Sequence, residues 1–343
     1  MDYKKMGTYN ANMIGSSNFM KSQGSRRITD SKIASGNAFL MSELEKRDPD
    51  IRKPLTTVTY HRDVPVKVGG GWVDTISALN IDYGVAGGSG NGPVHAGGAN
   101  SAPVIQANLD KDSFKTHVFS CIMRILFVDM QKENITGRSL DEMLKQGIRL
   151  NYDKHLDQNC YIGMSEYNTT GLLNKPNVFR SNVEQGASGY TPFETKTPDE
   201  ILNDINTAIA ETWEAGGYDL EALPNHIIMP FKQYNYIATT KVSALAEKTI
   251  LTYILENNVA TKNGKELVIG ATSYCKGRGA NNTDRMAVYV HNDRFIAMEE
   301  LVPLSRTMTQ PNIDALAYDS VYMANLSEVE FFYDQAIRYY DGI

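Results

Sequence analysis

The sequence predicts an α+β fold, and three features of its pattern support this. Residues 57–66 alternate apolar and polar side chains, which predicts a half-buried strand. Residues 139–163 carry an apolar residue at every fourth position behind a serine N-cap, which predicts one long helix. Short apolar segments in the last third of the chain predict strands. One long helix between an extended β-loop and a mixed lobe gives an α+β arrangement.

The composition is ordinary for a soluble globular protein with a weak negative charge. The chain has 343 residues, long enough for two lobes. It contains 40 acidic and 34 basic residues, so its net charge is 34 − 40 = −6. A dedicated nucleic-acid binder needs a basic face, and this balance argues against that role. No apolar run approaches the roughly 20 residues that cross a bilayer, and the N-terminus lacks an apolar signal core. We therefore expect no membrane contact and synthesis in the cytosol.

The first part of the chain consists of a polar arm and a glycine-rich loop. Residues 1–55 contain too few apolar side chains to offset their own ordering entropy. Residues 69–103 hold ten of the 27 glycines. A loop of this length is unusual in a compact domain unless it acts outside that domain. Its large side chains are therefore our candidates for contact with another subunit, namely Trp72, Ile76, Leu79 and Tyr83.

The rest of the chain contains well-marked elements. Residues 114–128 predict a strand that returns from the loop. Ser139 and Glu142 form a capping box before a helix of roughly 24 residues, about 36 Å long, which Gly163 ends. Thr197 and Glu200 form a second capping box, with proline at the first helical position. Further segments are predicted as strands at 226–229, 266–271, 286–290, 321–324 and 329–333, and as helices near 231–238 and 243–257.

No residue pattern predicts a catalytic, cofactor or metal site. The glycines at 277–279 and 88–92 lack a third glycine at the spacing of a dinucleotide fingerprint, and neither segment follows a clear strand and opens a helix. Neither a phosphate-binding loop nor a nucleophile elbow occurs. His155, Asp157 and Cys160 share the long helix without further metal ligands. We therefore expect a protein that is not an enzyme.

The cysteines and one charged pair are interpreted as structural. Cys121, Cys160 and Cys275 are too widely spaced for a disulfide framework or a zinc knuckle, so we expect buried free thiols. Asp284 and Arg285 are expected to form an ion pair in a loop.

The order of segments and several short motifs resemble the major capsid protein fold of tailed phages, which encapsulin shells share. The end of the long helix, residues 157–163, and Gly-Leu-Leu-Asn-Lys-Pro-Asn-Val at 171–178 look like the passage that follows the spine helix in this family. Asn-Thr-Asp-Arg-Met at 282–286 and the ending Asp-Gly-Ile at 341–343 look like one phage capsid subfamily. The resemblance covers roughly residues 55–343.

This resemblance implies a domain map and a set of partners. The implied segments are an N-terminal arm at 1–55, a peripheral-domain strand at 56–69, an extended loop at 70–128, a peripheral domain with the spine helix at 129–169, an axial domain at 170–320 and a C-terminal return to the peripheral domain at 321–343. The chain would associate with itself in pentamers and hexamers, in a virion capsid assembled in the host cytoplasm. Portal, scaffold and decoration proteins are further implied partners, together with weak, non-specific contact with packaged double-stranded DNA.

Two alternatives stay open at the level of sequence. The first is an encapsulin-like compartment shell with the same fold and a protein cargo. The second is an α+β enzyme or sugar-binding protein that uses the glycine-rich loop as a lid. The lid interpretation would need converging titratable residues, and the sequence shows none.

Overall fold

A computed structural model describes residues 54, 56–86, 104–136, 139–243 and 247–343. The chain divides into two units, Met1–Leu55 and Thr56–Ile343. The predicted polar arm lies outside the described residues, apart from Pro54. The architecture below is that of the second unit.

The described residues of the second unit form both helices and strands, in agreement with the predicted α+β class. Its α-helices are α1 (Tyr60–Asp63), α2 (Phe127–Thr136), α3 (Leu140–Ile162), α4 (Pro198–Ala215), α5 (Phe231–Thr239), α6 (Ile250–Asn257) and α7 (Val259–Lys262). Its strands are β1 (Val66–Val68), β2 (Thr75–Ala86), β3 (Val104–Leu126), β4 (Phe179–Asn182), β5 (His226–Met229), β6 (Val268–Ala271), β7 (Arg285–Tyr289), β8 (Ile296–Asn312), β9 (Ala317–Phe331) and β10 (Ile337–Asp341). No helix among these is long and apolar enough to span a bilayer.

The first sheet has the strand order β1-β8-β9-β3-β2. The C-terminal half of β3 pairs with β9 from Thr116 to Leu126, whereas its N-terminal half pairs with β2 from Val104 to Lys115. One strand therefore belongs both to the body of the sheet and to a hairpin that extends beyond it.

The predicted spine helix is confirmed as α3, which packs on one face of the first sheet. The Ser139 side chain accepts a hydrogen bond from the Glu142 backbone N–H, and Gly163, at φ +70°, ends the helix. Ile148 packs with Met123 of β3 in one apolar cluster. Tyr152 packs edge-on against Phe119, at a ring-centroid distance of 5.3 Å. The apolar stripe seen in the sequence is thus the face that binds this helix to β3.

The second sheet has the order β4-β10-β7-β5-β6 and carries α4 on its surface. The Thr197 and Glu200 capping box is complete in both directions, as predicted. Ile201, Ile205 and Ile209 of α4 are fully buried against strands β5 and β7. Apolar burial of this helix therefore stabilises the second sheet.

A buried carboxylate joins the spine helix to the second sheet. Asp63 of α1 is fully buried and accepts hydrogen bonds from Tyr161 of α3 and from Arg62, and it contacts Nε2 of His226 in β5 at 3.1 Å. Burial alone would raise the pKa of Asp63, but the hydrogen bonds from His226, Arg62 and Tyr161 outweigh it and hold the pKa below its usual value. The ionised carboxylate thus ties three elements together.

The prediction of a strand at 57–66 is wrong, because this segment contains the short helix α1 and only the first residue of β1. Asp157 of the spine helix accepts hydrogen bonds from the backbone N–H groups of Thr59 at 2.8 Å and Tyr60 at 3.0 Å. These bonds satisfy two donors at the start of a helical turn. A contact almost a hundred residues away in sequence therefore overrides the local alternation.

The long strand β8 was not predicted, and it changes the division of the C-terminal part. Strands β8 and β9 form an antiparallel ribbon with several irregularities in register, and both belong to the first sheet. The last strand, β10, pairs instead with β4 and β7 of the second sheet. The strand pairing therefore does not follow the predicted boundary between residues 320 and 321.

We predict that Ile148→Asp destabilises the subunit strongly, because Ile148 is 7% exposed and lies between the helix and β3. A charge buried there without a partner should lower the free energy of unfolding by about 3 kcal/mol or more. Met143 lies on the same helix but is 44% exposed, so Met143→Asp is the matched control. This variant should change the free energy of unfolding little. Equal urea unfolding curves for the two variants would show that the stripe does not hold the helix.

We also predict a pH dependence that originates at Glu330 of β9, which is fully buried. Burial, together with the nearby Glu299, raises its pKa from 4.5 to about 7. The folded carboxyl therefore keeps its proton between pH 4.5 and 7, where the unfolded carboxyl has lost it. The contribution to stability is fully present below pH 4.5 and is lost as the pH rises through 7, by about 3 kcal/mol in all.

Replacing the carboxyl by a neutral amide in Glu330→Gln should remove most of this slope. The measurement is urea unfolding of the unassembled subunit at about pH 5 and about pH 8. Glu166→Gln, at an exposed site, is the control and should keep the slope of the parent chain. An unchanged slope in Glu330→Gln would mean that another group titrates.

Candidate assembly surface

A short segment crosses the first sheet from its β1 edge to its β2 edge. The Gly71 backbone N–H donates to the Leu301 carbonyl of β8 at 3.2 Å. Asn325 of β9 donates from Nδ2 to the Val73 carbonyl at 3.1 Å, and Thr116 of β3 donates to the same carbonyl at 2.7 Å. The segment thus contacts β8, β9 and β3 in turn, so it lies flat across one face of the sheet.

The run of glycines makes this crossing possible. Gly69, Gly70 and Gly71 all have positive φ, at 122°, 123° and 81°. A Cβ on Gly70 would lie 2.6 Å from the Leu301 side chain. A larger residue at position 70 would therefore force the Leu301 side chain to shift and would adopt a strained backbone conformation. The next residue, Trp72, lies on this face with 54% of its surface exposed.

The face that carries Trp72 is opposite to the face that binds the spine helix. Along β3, Phe119 and Met123 pack toward α3, so the residues of opposite parity point away from it. Val118 pairs across the sheet with Asn325, which bonds to the crossing segment. We call this surface, pointing away from α3, the far face.

The far face is mixed, with exposed apolar side chains, polar side chains such as Ser120 and one ion pair. Val118 and Ile122 of β3 are 52% and 61% exposed, and Ile122 pairs with Val321 of β9. Arg124 donates from Nε and Nη2 to the two oxygens of Asp319, at 2.7 Å and 2.9 Å. The Arg124 hydrogen bond lowers the pKa of Asp319 to about 2. The carboxylate is therefore ionised and neutralised by its neighbour at all ordinary pH values.

The hairpin of β2 and β3 has two unlike faces. Its register is unbroken, from Thr75 opposite Lys115 to Ala86 opposite Val104. Five large apolar side chains share one face, which we call the apolar face, and each is at least half exposed. They are Leu79 at 71%, Ile81 at 51%, Tyr83 at 75%, Ile105 at 68% and Leu109 at 67%.

The opposite face of the hairpin is acidic. Asp82, Asp110 and Asp112 all lie on it, as the pairing of β2 with β3 shows. Asn80 donates from Nδ2 to Asp112 at 2.5 Å across the two strands. The acidic face is favourably solvated by water, whereas exposure of the apolar face to water is unfavourable.

The four contact candidates from the sequence lie in three different places. Leu79 and Tyr83 lie together on the apolar face of the hairpin. Ile76 points to the opposite side at the hairpin base, where it pairs with the buried Phe114. Trp72 precedes the hairpin and lies on the far face of the sheet. The structure thus brings two of the four together and separates the others.

Sequence reasoning missed Ile81, Ile105 and Leu109, which complete the apolar face. The signal was present in both strands. Residues at alternate positions from 79 to 83 and from 105 to 109 are all apolar, which is typical of a strand with one apolar face. The many glycines further along the segment led to the prediction of a loop instead of two strands.

The histidine and the cysteines that the sequence analysis considered as possible metal ligands contact other side chains of the fold. His155 packs against the rings of His117 and Phe119, and its burial lowers its pKa. Across residues 54, 56–86, 104–136, 139–243 and 247–343, no group of three His, Cys, Asp or Glu residues could hold a metal ion. All three cysteines are free; Cys160 and Cys275 are buried as predicted, whereas Cys121 is only half-buried.

The ion pair predicted between Asp284 and Arg285 is wrong. Arg285 of β7 instead donates to both oxygens of Asp341 in β10, at 2.7 Å and 2.9 Å, with both side chains buried. Asp284 accepts from the Gly277 backbone N–H at 3.0 Å. Arg285 begins β7 and lies directly opposite Asp341 on β10, which favours a pair across the sheet over one with Asp284, the residue before the strand.

Solved structures of capsid proteins share this fold. The capsid of Myoviridae phage XM1 matches with a TM-score of 0.72 and 18% identity, over 88% of this chain and 98% of that chain. The capsid of the native GTA particle matches with a TM-score of 0.60 and 12% identity, over 92% and 99%. The capsid of cyanophage P-SCSP1u matches with a TM-score of 0.54 and 12% identity, over 92% and 98%. Because the sequence identities are below 20%, these matches establish a shared fold only.

Sequence comparison assigns the family directly. No curated protein sequence matches the chain. The family model described as Major capsid protein matches residues 90–343, which are 254 of the 343 residues. This match spans part of the hairpin, the spine helix and the second sheet. The chain belongs to the Major capsid protein family and has the fold of a tailed-phage capsid subunit.

Proposed function

We propose that this chain builds the icosahedral shell that encloses the double-stranded DNA of a tailed phage, by packing with itself in pentamers and hexamers. The observation that carries this proposal is the apolar face of the hairpin. It projects from the body of the subunit, and its five large side chains are exposed. A contiguous exposed apolar surface of this kind marks an interface.

The energetics favour a partner for the hairpin. An isolated two-stranded hairpin is at best marginally stable in water. Transfer of one large apolar side chain from water into an interface contributes about 1.5–3 kcal/mol. Five such side chains on one ribbon provide a strong driving force for association, part of which offsets the lost freedom of the subunits. Association would therefore stabilise the hairpin and join neighbouring subunits.

The strand pairing supports a revised domain map as part of this proposal. Residues 56–69, 129–169 and about 296–331 would form the peripheral domain, built on the first sheet and α3. Residues 70–115 would form the extended loop, and residues 116–128, which include the part of β3 that pairs with β9, would belong to the peripheral domain. The axial domain would contain about 170–295 and the last strand, β10, which pairs within the second sheet. The second sheet would then lie toward the centres of pentamers and hexamers.

The charge of the chain suits a container for DNA. A net charge of −6 gives weak repulsion of the packaged phosphates, so the genome can slide during filling and ejection. Assembly would take place in the host cytoplasm, with scaffold, portal and decoration proteins as further partners. Family membership favours this container role over a lid-bearing enzyme or a sugar-binding protein.

Two adjacent residues of the hairpin give a matched test. Tyr83 lies on the apolar face and Asp82 on the acidic face, so Tyr83→Lys and Asp82→Lys place the same charge on opposite sides. We predict that the parent chain and Asp82→Lys form closed shells or capsomers. Tyr83→Lys should lose at least tenfold in particle yield, because a charge then opposes the apolar contact.

Sedimentation and negative-stain microscopy measure particle yield, and a melting curve of the unassembled subunit checks folding. All three proteins should melt alike, because both side chains are exposed in the subunit. Assembly that is lost in Asp82→Lys and kept in Tyr83→Lys would reverse the assignment of the faces. A parent chain that stays monomeric under all conditions, with or without scaffold, would refute the shell-building function.

A further inference from the structure

We propose that His117 and His155 form an acid-sensitive switch at the point where the hairpin leaves the first sheet. The neutral imidazoles hold the base of the hairpin against the spine helix, and their protonation in acid releases it. This inference goes beyond the proposed shell-building function, because it concerns a conformational change within one subunit.

His117 lies where β3 changes from one pairing partner to the other. The pairing with β2 ends at Lys115, and the pairing with β9 begins at Thr116. His117 is the next residue, and the ring of His155 on α3 meets it edge-on at a centroid distance of 5.7 Å. A change in this pair of rings therefore acts at the junction between the hairpin and the body of the subunit.

The imidazole of His117 is buried without a hydrogen-bond partner. Its two nitrogens, Nδ1 and Nε2, are essentially inaccessible to solvent, and neither has a donor or an acceptor within reach in the described part of the chain. Buried polar groups without partners are rare in native proteins, because each costs free energy. The site thus tolerates a neutral ring and offers nothing that would stabilise a charged one.

Aromatic rings enclose His117 on the side of the spine helix. His155, which is itself a base, also packs against Phe119 at a centroid distance of 5.6 Å. Tyr167, from the three-residue 3-10 helix that follows α3, lies nearly parallel to the His117 ring at 6.5 Å. On β9 the residue directly opposite is the apolar Leu326. None of these neighbours carries a negative charge that could balance an imidazolium.

The two charged side chains of the neighbourhood are engaged elsewhere. The Lys115 ammonium donates to the Asn168 carbonyl at 3.3 Å. The Glu328 carboxylate accepts from the backbone N–H groups of Lys115 at 2.9 Å and Thr170 at 3.1 Å. Neither side chain bonds to His117. A proton on His117 would therefore have no acceptor nearby.

The surroundings of the two rings make them poor bases in the folded chain. Burial, together with the neighbouring His155, lowers the pKa of His117 from 6.5 to about 4, and burial lowers the pKa of His155 as well. In the unfolded chain the same rings take up protons near pH 6.5. As the pH falls from 6.5 to 4, the unfolded state binds more protons than the folded state, so the folded state loses stability.

Protonation favours a particular local opening. An imidazolium has two N–H donors, and at His117 both would lack acceptors. Two imidazoliums at this distance also repel each other. Tyr167 is 59% exposed and belongs to a helix of only three residues, so it moves first and admits water. Because the adjacent Asn168 binds Lys115, the same movement releases the base of the hairpin.

The substitution His117→Phe tests the switch, because phenylalanine keeps an aromatic ring in the cluster without a titratable nitrogen. Urea unfolding of the unassembled full chain is measured at about pH 7 and about pH 4.5. The lower pH should raise the unfolding equilibrium constant of the parent roughly fiftyfold more than that of His117→Phe. His61→Phe, at an exposed histidine, is the control and should behave like the parent. The contribution of Glu330 is common to all three proteins and cancels.

Amide hydrogen exchange in the parent chain locates the opening. After correction for intrinsic rates, exchange in residues 113–119 and 165–169 should rise about tenfold or more at the lower pH, while α4 keeps its protection. An equal pH dependence of unfolding in the parent and His117→Phe would overturn the switch. Exchange that rises no more at the junction than in α4 would also overturn it, and this measurement decides the matter even where His117→Phe does not fold.

Discussion

The rest of the structure depends on one strand, β3, which pairs with β9 in the first sheet and with β2 in the hairpin. The C-terminal half of β3 is held in the first sheet by β9 and by the spine helix, and its N-terminal half forms the hairpin with β2. Because side chains alternate along a strand, the odd-numbered residues of β3 that pack against α3 continue as Leu109 and Ile105 on the same side of the strand. The register that selects the residues of the assembly surface is therefore continuous with the core of the subunit.

A second constraint keeps the two sheets in place while the hairpin stays exposed. The carboxylate of Asp63 receives bonds from the spine helix and from its own helical turn, and it contacts His226 of the second sheet. An ionised group in this buried site is stable only while these partners surround it. The hydrogen bonds around Asp63 require specific geometry, whereas the hairpin presents a broad apolar surface. A shell subunit needs this combination, with a rigid body and a contact surface that can fit slightly different neighbours.

The sequence predicted the elements whose signals are local and left out those set by distant contacts. The spine helix and α4 were predicted with their N-caps, Ser139 and Thr197, because N-cap residues and apolar stripes lie within one segment, although only the second capping box is reciprocal. The turn at Tyr60–Asp63 was missed because Asp157, far along the chain, supplies its hydrogen bonds. Strand β8 was missed because adjacent glutamates and two prolines interrupt its pattern. Of the assembly surface, Leu79 and Tyr83 were named from the sequence, but their separation from Ile76 and Trp72 depends on strand register, which pairing decides.

The central claim is that another copy of the chain covers the apolar face of the hairpin. A cryo-electron microscopy map of assembled particles at side-chain resolution tests it most directly. We expect the hairpin of each subunit to be covered by a neighbouring subunit, with Tyr83 and Leu109 buried in the contact and Asp82 and Asp110 in solvent. A hairpin whose apolar face is folded against its own subunit, or is exposed to solvent in the finished shell, would contradict the account.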